Sequence, residues 1–231
     1  MAQTRRERLR EATIAEIKQT ARQQMAEEGA AALSLRAIAR QMGMTAPALY
    51  RYFENRDALV TALIADAYTS LAVALETARD ALAPDDHHGR LLAAALAYRD
   101  WAVTHSQDYA LIFGTPIPGY HAPVEITVPL ARRSLGVLVE LLAAAQRDGE
   151  LSLPAEYTNP PPETKAQLLA WKGHYGHSAP TPVLHLALAI WGHVHGLVIL
   201  EIFHHLSPDI GGAETLYRAE VLAWIKRAGL A

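Results

Sequence analysis

Apolar residues recur with helical spacing along almost the whole chain. Ile14, Ile17, Ala21 and Met25, for example, share one face of a helix whose other positions are charged or polar. No segment alternates apolar and polar residues as a half-buried strand does, and no internal repeat is visible. The pattern therefore predicts an all-α fold.

Glycines and short polar residues divide the first part of the chain into four predicted helices. Glycine favours helix ends, whereas Ser, Thr and Asn favour helix starts because their side chains accept hydrogen bonds from free backbone N–H groups. The third helix is short, with Leu49 and Phe53 facing inward, and the fourth continues towards Pro84. Breaks are predicted at Gly29 and Gly43, and N-caps at Ser34, Thr45 and Asn55.

The rest of the chain is also predicted to be mostly helical. The segment between residues 149 and 182 contains six prolines and three glycines, so we expect a loop there with one short helix at 163–171. Residues 183–203 reach the length of a membrane span, but three histidines and Glu201 interrupt them, and we expect a helix buried in protein. The other predicted helices lie near residues 88–104, 105–113, 124–148, 182–206 and 210–228.

The run MTAPALYRYFENRDAL, residues 44–59, is unusual for a core helix because it places two tyrosines and two arginines close together. A helix-turn-helix explains it, with the third helix as the recognition element whose first residues face base edges in the major groove. Ala46 and Pro47 are compact enough to let the helix end approach the bases. Tyr50 and Tyr52 would donate to phosphate oxygens. Arg56 begins the fourth helix, where free N–H groups and a cation would form a phosphate site.

The stretch SLRAIARQMGMTAPALYRYFENRDALVTAL resembles the helix-turn-helix of TetR-family transcriptional repressors. The resemblance covers residues 8–65 and implies a homodimer with two DNA-binding heads and a helical ligand-binding body. The family often has lysine where Glu54 stands, so Glu54 either weakens DNA binding or points away from the DNA. The resemblance assigns DNA contacts to Ser34, Arg36, Thr45, Ala46, Pro47, Tyr50, Tyr52 and Arg56.

Residues 191–201, WGHVHGLVILE, resemble a second motif, the Trp-His-Gly (WHG) motif of a TetR-family C-terminal ligand-binding domain. Trp191, His195, Gly196 and Glu201 carry this resemblance. Independently of this resemblance, two glycines one helical turn apart form a flat stripe against which another helix can pack. Glycine is unfavourable inside a helix, so a packing role would explain its presence at these two positions. We expect the partner of a symmetric dimer to cover one side of this helix. The predicted interface includes Gly192, Gly196, Leu200 and Leu222.

Charge and composition narrow the range of partners. Residues 1–60 contain ten Lys/Arg and seven Asp/Glu (net +3), whereas residues 61–231 contain eleven and seventeen (net −6). A basic head on an acidic body predicts that only the head meets a polyanion, here double-stranded operator DNA. The absence of cysteine excludes disulfides, cysteine nucleophiles and cysteine–zinc sites. Because the first residues are charged and lack the apolar region of a signal peptide, we expect a cytoplasmic protein without a membrane partner.

A small-molecule effector site is predicted among the aromatic and polar-tipped residues of the body. Such sites are usually apolar cavities with a few orienting polar groups. The eleven histidines raise the question of a metal, but His193 and His195 point to different helix faces, so we expect no metal and no cofactor. The pocket candidates, each with core packing as the alternative, are Tyr98, Trp101, His105, Tyr109, Phe113, Trp171, Trp191 and His195.

These patterns predict a sequence-specific DNA-binding regulator, with a DNA-binding domain at residues 1–55 and a ligand-binding and dimerisation domain at 56–231. A repressor released by a small molecule is favoured, although an activator has the same sequence features. An enzyme is disfavoured because the chain has no nucleophile elbow, glycine-rich phosphate loop or metal-spaced cluster. A dimeric helical carrier that no longer binds DNA is favoured only by Glu54 and the modest charge of the head.

Overall fold

The computed structural model describes residues 4–175, 178–210 and 212–230. All regular elements in these ranges are helices and none is a strand, so the all-α prediction is confirmed. Two short 3₁₀ turns, Ala30–Ala32 and Pro208–Ile210, accompany the α-helices. The α-helices are α1 (Arg5–Glu28), α2 (Leu35–Gln41), α3 (Ala46–Tyr50), α4 (Arg56–Asp80), α5 (His87–Thr104), α6 (Ser106–Phe113), α7 (Val124–Arg147), α8 (Ala155–Thr158), α9 (Pro162–Tyr175), α10 (Thr181–Ile202) and α11 (Ala213–Arg227).

The chain forms two compact units. The first comprises the residues up to Ala67 together with His105–Val128, and the second comprises Tyr68–Thr104 and the residues from Pro129 onward. The predicted domain boundary between residues 55 and 56 coincides with the start of α4, whereas the two units divide within that helix. The functional division at this boundary stays a prediction.

Helix α1 is the longest element wholly inside the first unit, and both of its ends are fixed by local interactions. Thr4 and Glu7 form a capping box, in which Thr4 Oγ1 accepts from the Glu7 N–H at 3.2 Å and the Glu7 carboxylate accepts from the Thr4 N–H at 2.8 Å. At the other end, Gly29 adopts a φ of 82°, which favours glycine, and ends the helix as predicted. The fully buried core of this unit contains Ile17, Ala21, Ile38, Leu49, Leu59 and Leu63.

Helix α10 occupies the centre of the second unit, next to α5, α8, α9 and α11. It ends at Ile202, short of the predicted end at 206, and His204 has a φ of 57°. The prediction that His204 and His205 sit on this helix is therefore wrong, because the chain turns at that point. The segment 149–182 is also more helical than predicted, since α8 and α9 lie within it.

Two helices have the length and composition of membrane spans. They are α4 and α10. In the most apolar 18-residue segment of each helix, 44% of α4 and 39% of α10 is buried inside the structure. This is weak evidence for a membrane span, because the core helix of a soluble protein has the same length and composition.

Candidate DNA-binding surface and ligand site

The turn between α2 and α3 has the tight geometry of a helix-turn-helix. Gly43 adopts a φ of 64°, a left-handed conformation in which any other side chain would be strained. The Met44 N–H donates to the Ala39 carbonyl at 2.8 Å, which closes the end of α2. Helices α2 and α3 then pack against each other. The break predicted at Gly43 is confirmed.

Two of the three predicted N-caps form. The Ser34 hydroxyl accepts from the Ala37 N–H at 3.4 Å, and Asn55 Oδ1 accepts from the Ala58 N–H at 2.8 Å. Thr45 occupies the N-cap position of α3, as predicted, but its side chain makes no capping hydrogen bond, so that part of the prediction is wrong. Pro47 has no N–H to donate, and the Ala48 N–H already donates to the Thr45 carbonyl at 3.0 Å.

Helix α3 separates an anchoring side from an exposed side. Leu49 is fully buried and Phe53, just after the helix, is 8% exposed, so both face inward as predicted. Tyr50 is 43% exposed, and Thr45 and Pro47 are exposed as well. Short or polar side chains thus cover the outer side at the start of α3, with a phenol following them.

Tyr52 has an unpredicted neighbour, Arg10. Tyr52 is half-buried, and the guanidinium carbon of Arg10 on α1 lies 5.7 Å from the centre of its ring. This is a cation–π distance. The signal for Arg10 was present in the sequence, because it lies four residues before Ile14 on the predicted inward stripe of α1.

The guanidinium of Arg56 is engaged inside the first unit. Its Nε donates to the Leu33 carbonyl at 3.1 Å, and its Nη2 donates to the carbonyls of Ala31 and Ala30 at 2.9 and 3.3 Å. The expectation of a cation directed at phosphate is therefore corrected. Sequence spacing did not reveal this role, because the three carbonyls belong to the connection between α1 and α2.

The remaining predicted DNA-contact residues lie on the surface of the same unit. Arg36, on the first turn of α2, and Glu54, between α3 and α4, are exposed. Ser34 and Ala46 are half-buried, and the Ser34 N–H donates to Gln24 Oε1 at 3.1 Å. The carboxylate of Glu54 is exposed, and it adds negative charge beside α3.

Ion pairs join α1 to two other helices of the first unit. Lys18 Nζ contacts Asp66 on α4 at 2.8 Å. One turn further along α1, Arg22 Nε donates to both oxygens of Asp108 on α6, at 2.9 and 3.2 Å. Helix α6, which carries two of the predicted pocket residues, is therefore bonded to the helix that supports the helix-turn-helix.

Three of the predicted pocket residues lie together in the second unit. Tyr98 Oη and His195 Nδ1 are 2.8 Å apart, and the rings of Trp191 and His195 stack with centres 5.0 Å apart. Burial lowers the pKa of His195 below its usual value, so the ring is neutral at pH 7. The cluster therefore offers a neutral polar group beside an aromatic surface.

The other pocket candidates are distributed elsewhere. Trp101 is buried and its Nε1 donates to Ser70 at 2.9 Å, while Trp171 on α9 is half-buried. In the first unit, the rings of Tyr109 and Phe113 are 5.1 Å apart, and His105 is exposed at the start of α6. A separate cavity of about 330 Å³ in the second unit contains none of the predicted residues; it is lined by Arg79, Arg90, Val139, Glu140, Leu141, Ala143, Ala144, Arg147, Ser178 and Ala179.

The glycine stripe of α10 is open in this single chain. Gly192 is exposed and Gly196 half-buried, and a Cβ at either position would meet nothing within 4 Å. Leu200 is 39% exposed and Leu222 on α11 is half-buried.

The histidines of α10 point to different sides, as predicted. His193 Nε2 lies 3.0 Å from the Glu220 carboxylate, on the side of α11, whereas His195 contacts Tyr98 and Trp191. Within the ranges that the structure describes, no group of three or more His, Asp or Glu side chains could hold a metal ion.

An ion pair between α5 and α10 was not predicted. Arg99 Nε and Nη2 donate to the Glu201 carboxylate at 2.8 and 2.6 Å. In the sequence, Glu201 stands out as a charge within the apolar segment 183–203 and as part of the motif that resembles WHG. Its partner was not identifiable, because Arg99 is 102 residues away in the chain.

Comparison with known proteins agrees with this arrangement. Residues 17–63 match the family model described as bacterial regulatory proteins of the tetR family, and residues 91–223 match the one described as the tetracyclin repressor-like C-terminal domain. HTH-type transcriptional regulators of Mycobacterium tuberculosis and Mycobacterium bovis are 36% identical over 201 residues, covering 87% of this chain and 85% of theirs.

Solved structures show the same fold. One regulatory protein is 38% identical, with a TM-score of 0.79 over 96% of this chain and 100% of its own. A TetR-family regulator from Rhodococcus RHA1, 18% identical, has a TM-score of 0.64 over 94% of this chain and 97% of its own. The resemblance to the WHG subtype stays a prediction, since the matching C-terminal model is described more generally. TetR-family regulators are transcription factors and not enzymes. The chain belongs to the TetR family of transcriptional regulators and carries its DNA-binding helix-turn-helix.

Proposed function

We propose that this protein is a cytoplasmic repressor that binds operator DNA as a homodimer and is released by a small-molecule effector. The proposal rests mainly on the exposure of the residues on the outer side of α3. Its anchoring residue Leu49 is fully buried, whereas Thr45, Pro47 and Tyr50 are exposed beside a tight glycine turn. A helix presented in this way fits the major groove.

The proposed base and phosphate contacts follow from that surface. Thr45, whose hydroxyl is not used as a helix cap, and the compact Ala46 and Pro47 would meet base edges. Arg36 would reach a base edge or a phosphate from α2. Ser34, Tyr50 and Tyr52 would donate to phosphates. The guanidinium of Arg56 supports this surface through its bonds to backbone carbonyls, so the candidate phosphate contact at this position is the backbone N–H at the start of α4 and not the cation.

Dimer formation is proposed through α10 and α11. The open glycine stripe at Gly192 and Gly196 permits close approach of a second helix, and Leu200 and Leu222 would add apolar area that is exposed or half-buried in one chain. A two-fold pair of α10–α11 faces would bury this area. Each protomer would then deliver one head to one half-site of the operator.

The effector is proposed to bind at the cluster of Tyr98, Trp191 and His195. Its stacked rings would hold a flat apolar group, and the neutral imidazole and phenol would orient a polar substituent. An effector that binds one conformation of the protein better than the other shifts the population by its differential affinity. Helix α4 is one continuous helix from Arg56 to Asp80, and it is the proposed connection between effector binding and the heads.

The proposal is tested by selecting duplexes from a random DNA pool with the purified protein. Enrichment of a palindromic sequence with two half-sites supports a dimeric sequence-specific regulator. Transcription in vitro from a promoter containing that sequence then distinguishes a repressor from an activator. Glu54→Lys serves as a gain-of-affinity variant, because an added cation beside α3 should tighten binding. If no duplex is enriched by either protein, a helical carrier without DNA binding becomes the better description.

A further inference from the structure

The inward stripe of α1 changes its chemistry along the helix. Residues spaced three or four apart on one face are Arg6, Arg10, Ile14, Ile17 and Ala21. Ile17 and Ala21 are fully buried and Ile14 is half-buried, whereas Arg6 and Arg10 are exposed. Arg10 lies about 10 Å along the helix axis before Ile17. The face that packs on the core of the first unit therefore continues past that core as a basic face.

Arg10 is located beside the recognition helix. Its guanidinium carbon lies 5.7 Å from the centre of the Tyr52 ring, and Tyr52 follows α3 by two residues. The contact brings the Arg10 cation to the segment that directly follows the recognition helix. An amphipathic helix would normally carry apolar residues on this face if protein covered it.

The first turn of α1 holds cations where the helix itself disfavours them. The N-terminal end of a helix carries a partial positive charge, so Arg5 and Arg6 are unfavourable there. Glu7 is the acidic residue of this turn, and its carboxylate accepts from the backbone N–H and hydroxyl of Thr4, at 2.8 and 2.9 Å. The Glu7 carboxylate is therefore engaged by Thr4 in the capping box. A polyanion outside the protein would relieve the repulsion among the arginines.

We infer that Arg6 and Arg10 form a second DNA-contacting surface, which binds backbone phosphates flanking the bases read by α3. The inference rests on the proposed placement of α3 in the major groove. Arg10 contacts phosphate while its guanidinium stays against the Tyr52 ring, and Arg6 extends the contact by one helical turn. These contacts recognise the DNA backbone and are independent of base sequence.

The test measures the salt dependence of DNA binding for Arg6→Gln, Arg10→Gln and the double variant. The probes are a duplex selected by the wild-type protein and an unrelated duplex of equal length. Each lost phosphate contact should make the slope of log affinity against log salt shallower by about 0.9, or about 1.8 for a dimer with two heads. The affinity loss should be similar for both duplexes, and Arg10→Lys should keep the wild-type slope.

Matched variants separate this inference from general charge effects and from the proposed function. Lys165→Gln removes one exposed cation from α9 in the second unit and should leave the slope unchanged. If the arginine variants behave like Lys165→Gln while the wild type still selects a duplex, the α1 surface is not a DNA contact. If the wild type selects no duplex from the random pool and does not bind the unrelated duplex, the DNA-binding proposal fails together with this inference.

Discussion

Arg22 and Asp108 form an ion pair in which the carboxylate is almost completely shielded from solvent. The Arg22 Nε donates to both Asp108 oxygens, at 2.9 and 3.2 Å, and the Asp108 side chain is 9% exposed. Removing one member of such a pair leaves a buried polar group without its partner. We therefore expect Arg22→Met to lower the free energy of unfolding by about 1.5–3 kcal/mol, the usual range for a hydrogen bond to a charged group.

Denaturant unfolding measures this change. Lys18→Met, one turn earlier on α1, is the matched control, because its partner Asp66 is 40% exposed and surface pairs contribute about 0–1 kcal/mol. Equal losses for the two variants would contradict a special role for the pair between α1 and α6.

Arg56 should act on DNA affinity by positioning the head. Its bonds to three backbone carbonyls would be lost in Arg56→Gln, so the connection before α2 would loosen and affinity should fall. The slope of log affinity against log salt should stay within experimental error of the wild type, because the guanidinium does not neutralise a phosphate. Arg10→Gln is the comparison, since loss of its proposed phosphate contact should make the slope shallower by about 0.9 per head. A shallower slope for Arg56→Gln would restore the direct phosphate contact.

Replacing both Gly192 and Gly196 by leucine should prevent dimer formation while each protomer still folds. A Cβ at either position meets nothing within 4 Å in the single chain, so each new side chain can leave the backbone without a clash inside the protomer. Each substitution also removes a helix-interior glycine, which is unfavourable by about 1 kcal/mol relative to alanine. We expect a folded protomer of at least wild-type helicity that sediments as a monomer and no longer binds a two-half-site duplex.

The glycine prediction has two clear contrary outcomes. A double variant that stays dimeric would show that the stripe does not face the partner. A wild-type protein that is monomeric at micromolar concentration would remove the dimer proposal itself.

His195 should make stability depend on pH in a definite direction. Its folded-state pKa is lowered by burial from the ordinary value of 6.5, so the unfolded state binds more protons as pH falls through that value. As the pH is lowered from 6.5 to the folded-state pKa, the free energy of unfolding should therefore decrease. As the pH is raised again towards neutral, it should recover.

Denaturant unfolding at several pH values between 5 and 7 measures this dependence. His195→Gln should flatten it while keeping a polar group near Tyr98 Oη. His121→Gln, which removes an exposed histidine of the first unit, is the control. An unchanged pH dependence in the His195 variant would mean that the depression of its pKa contributes little.

Most of the helices could be predicted from the sequence because their signals are local. Helix ends at Gly29 and Gly43 depend on a left-handed backbone that glycine adopts easily, and the burial of Leu49 follows from periodicity. The helix-turn-helix was predictable for the same reason, since all of its determinants lie within 30 residues of the chain.

The failures concern hydrogen-bond partners. Whether Thr45 caps α3 depended on which backbone N–H groups were still available, and Pro47 and Ala48 offered none. Arg56 was assigned to phosphate because its own helix start attracts anions, but carbonyls more than 20 residues earlier in the chain take its guanidinium. Three of the eight pocket candidates, Tyr98, Trp191 and His195, lie together, and the others lie elsewhere, because residue type predicts burial whereas neighbours depend on the tertiary fold.

Helix α3 is anchored through a single buried residue, Leu49, among its five positions. Substitutions at Ala46, Pro47 and Tyr50 would therefore leave the packing of the head largely intact. The operator preference can thus be altered by engineering with little loss of protein stability. For the same reason it can differ between related proteins. A library randomised at these three positions should yield mostly folded proteins, so altered specificities could be screened directly in cells.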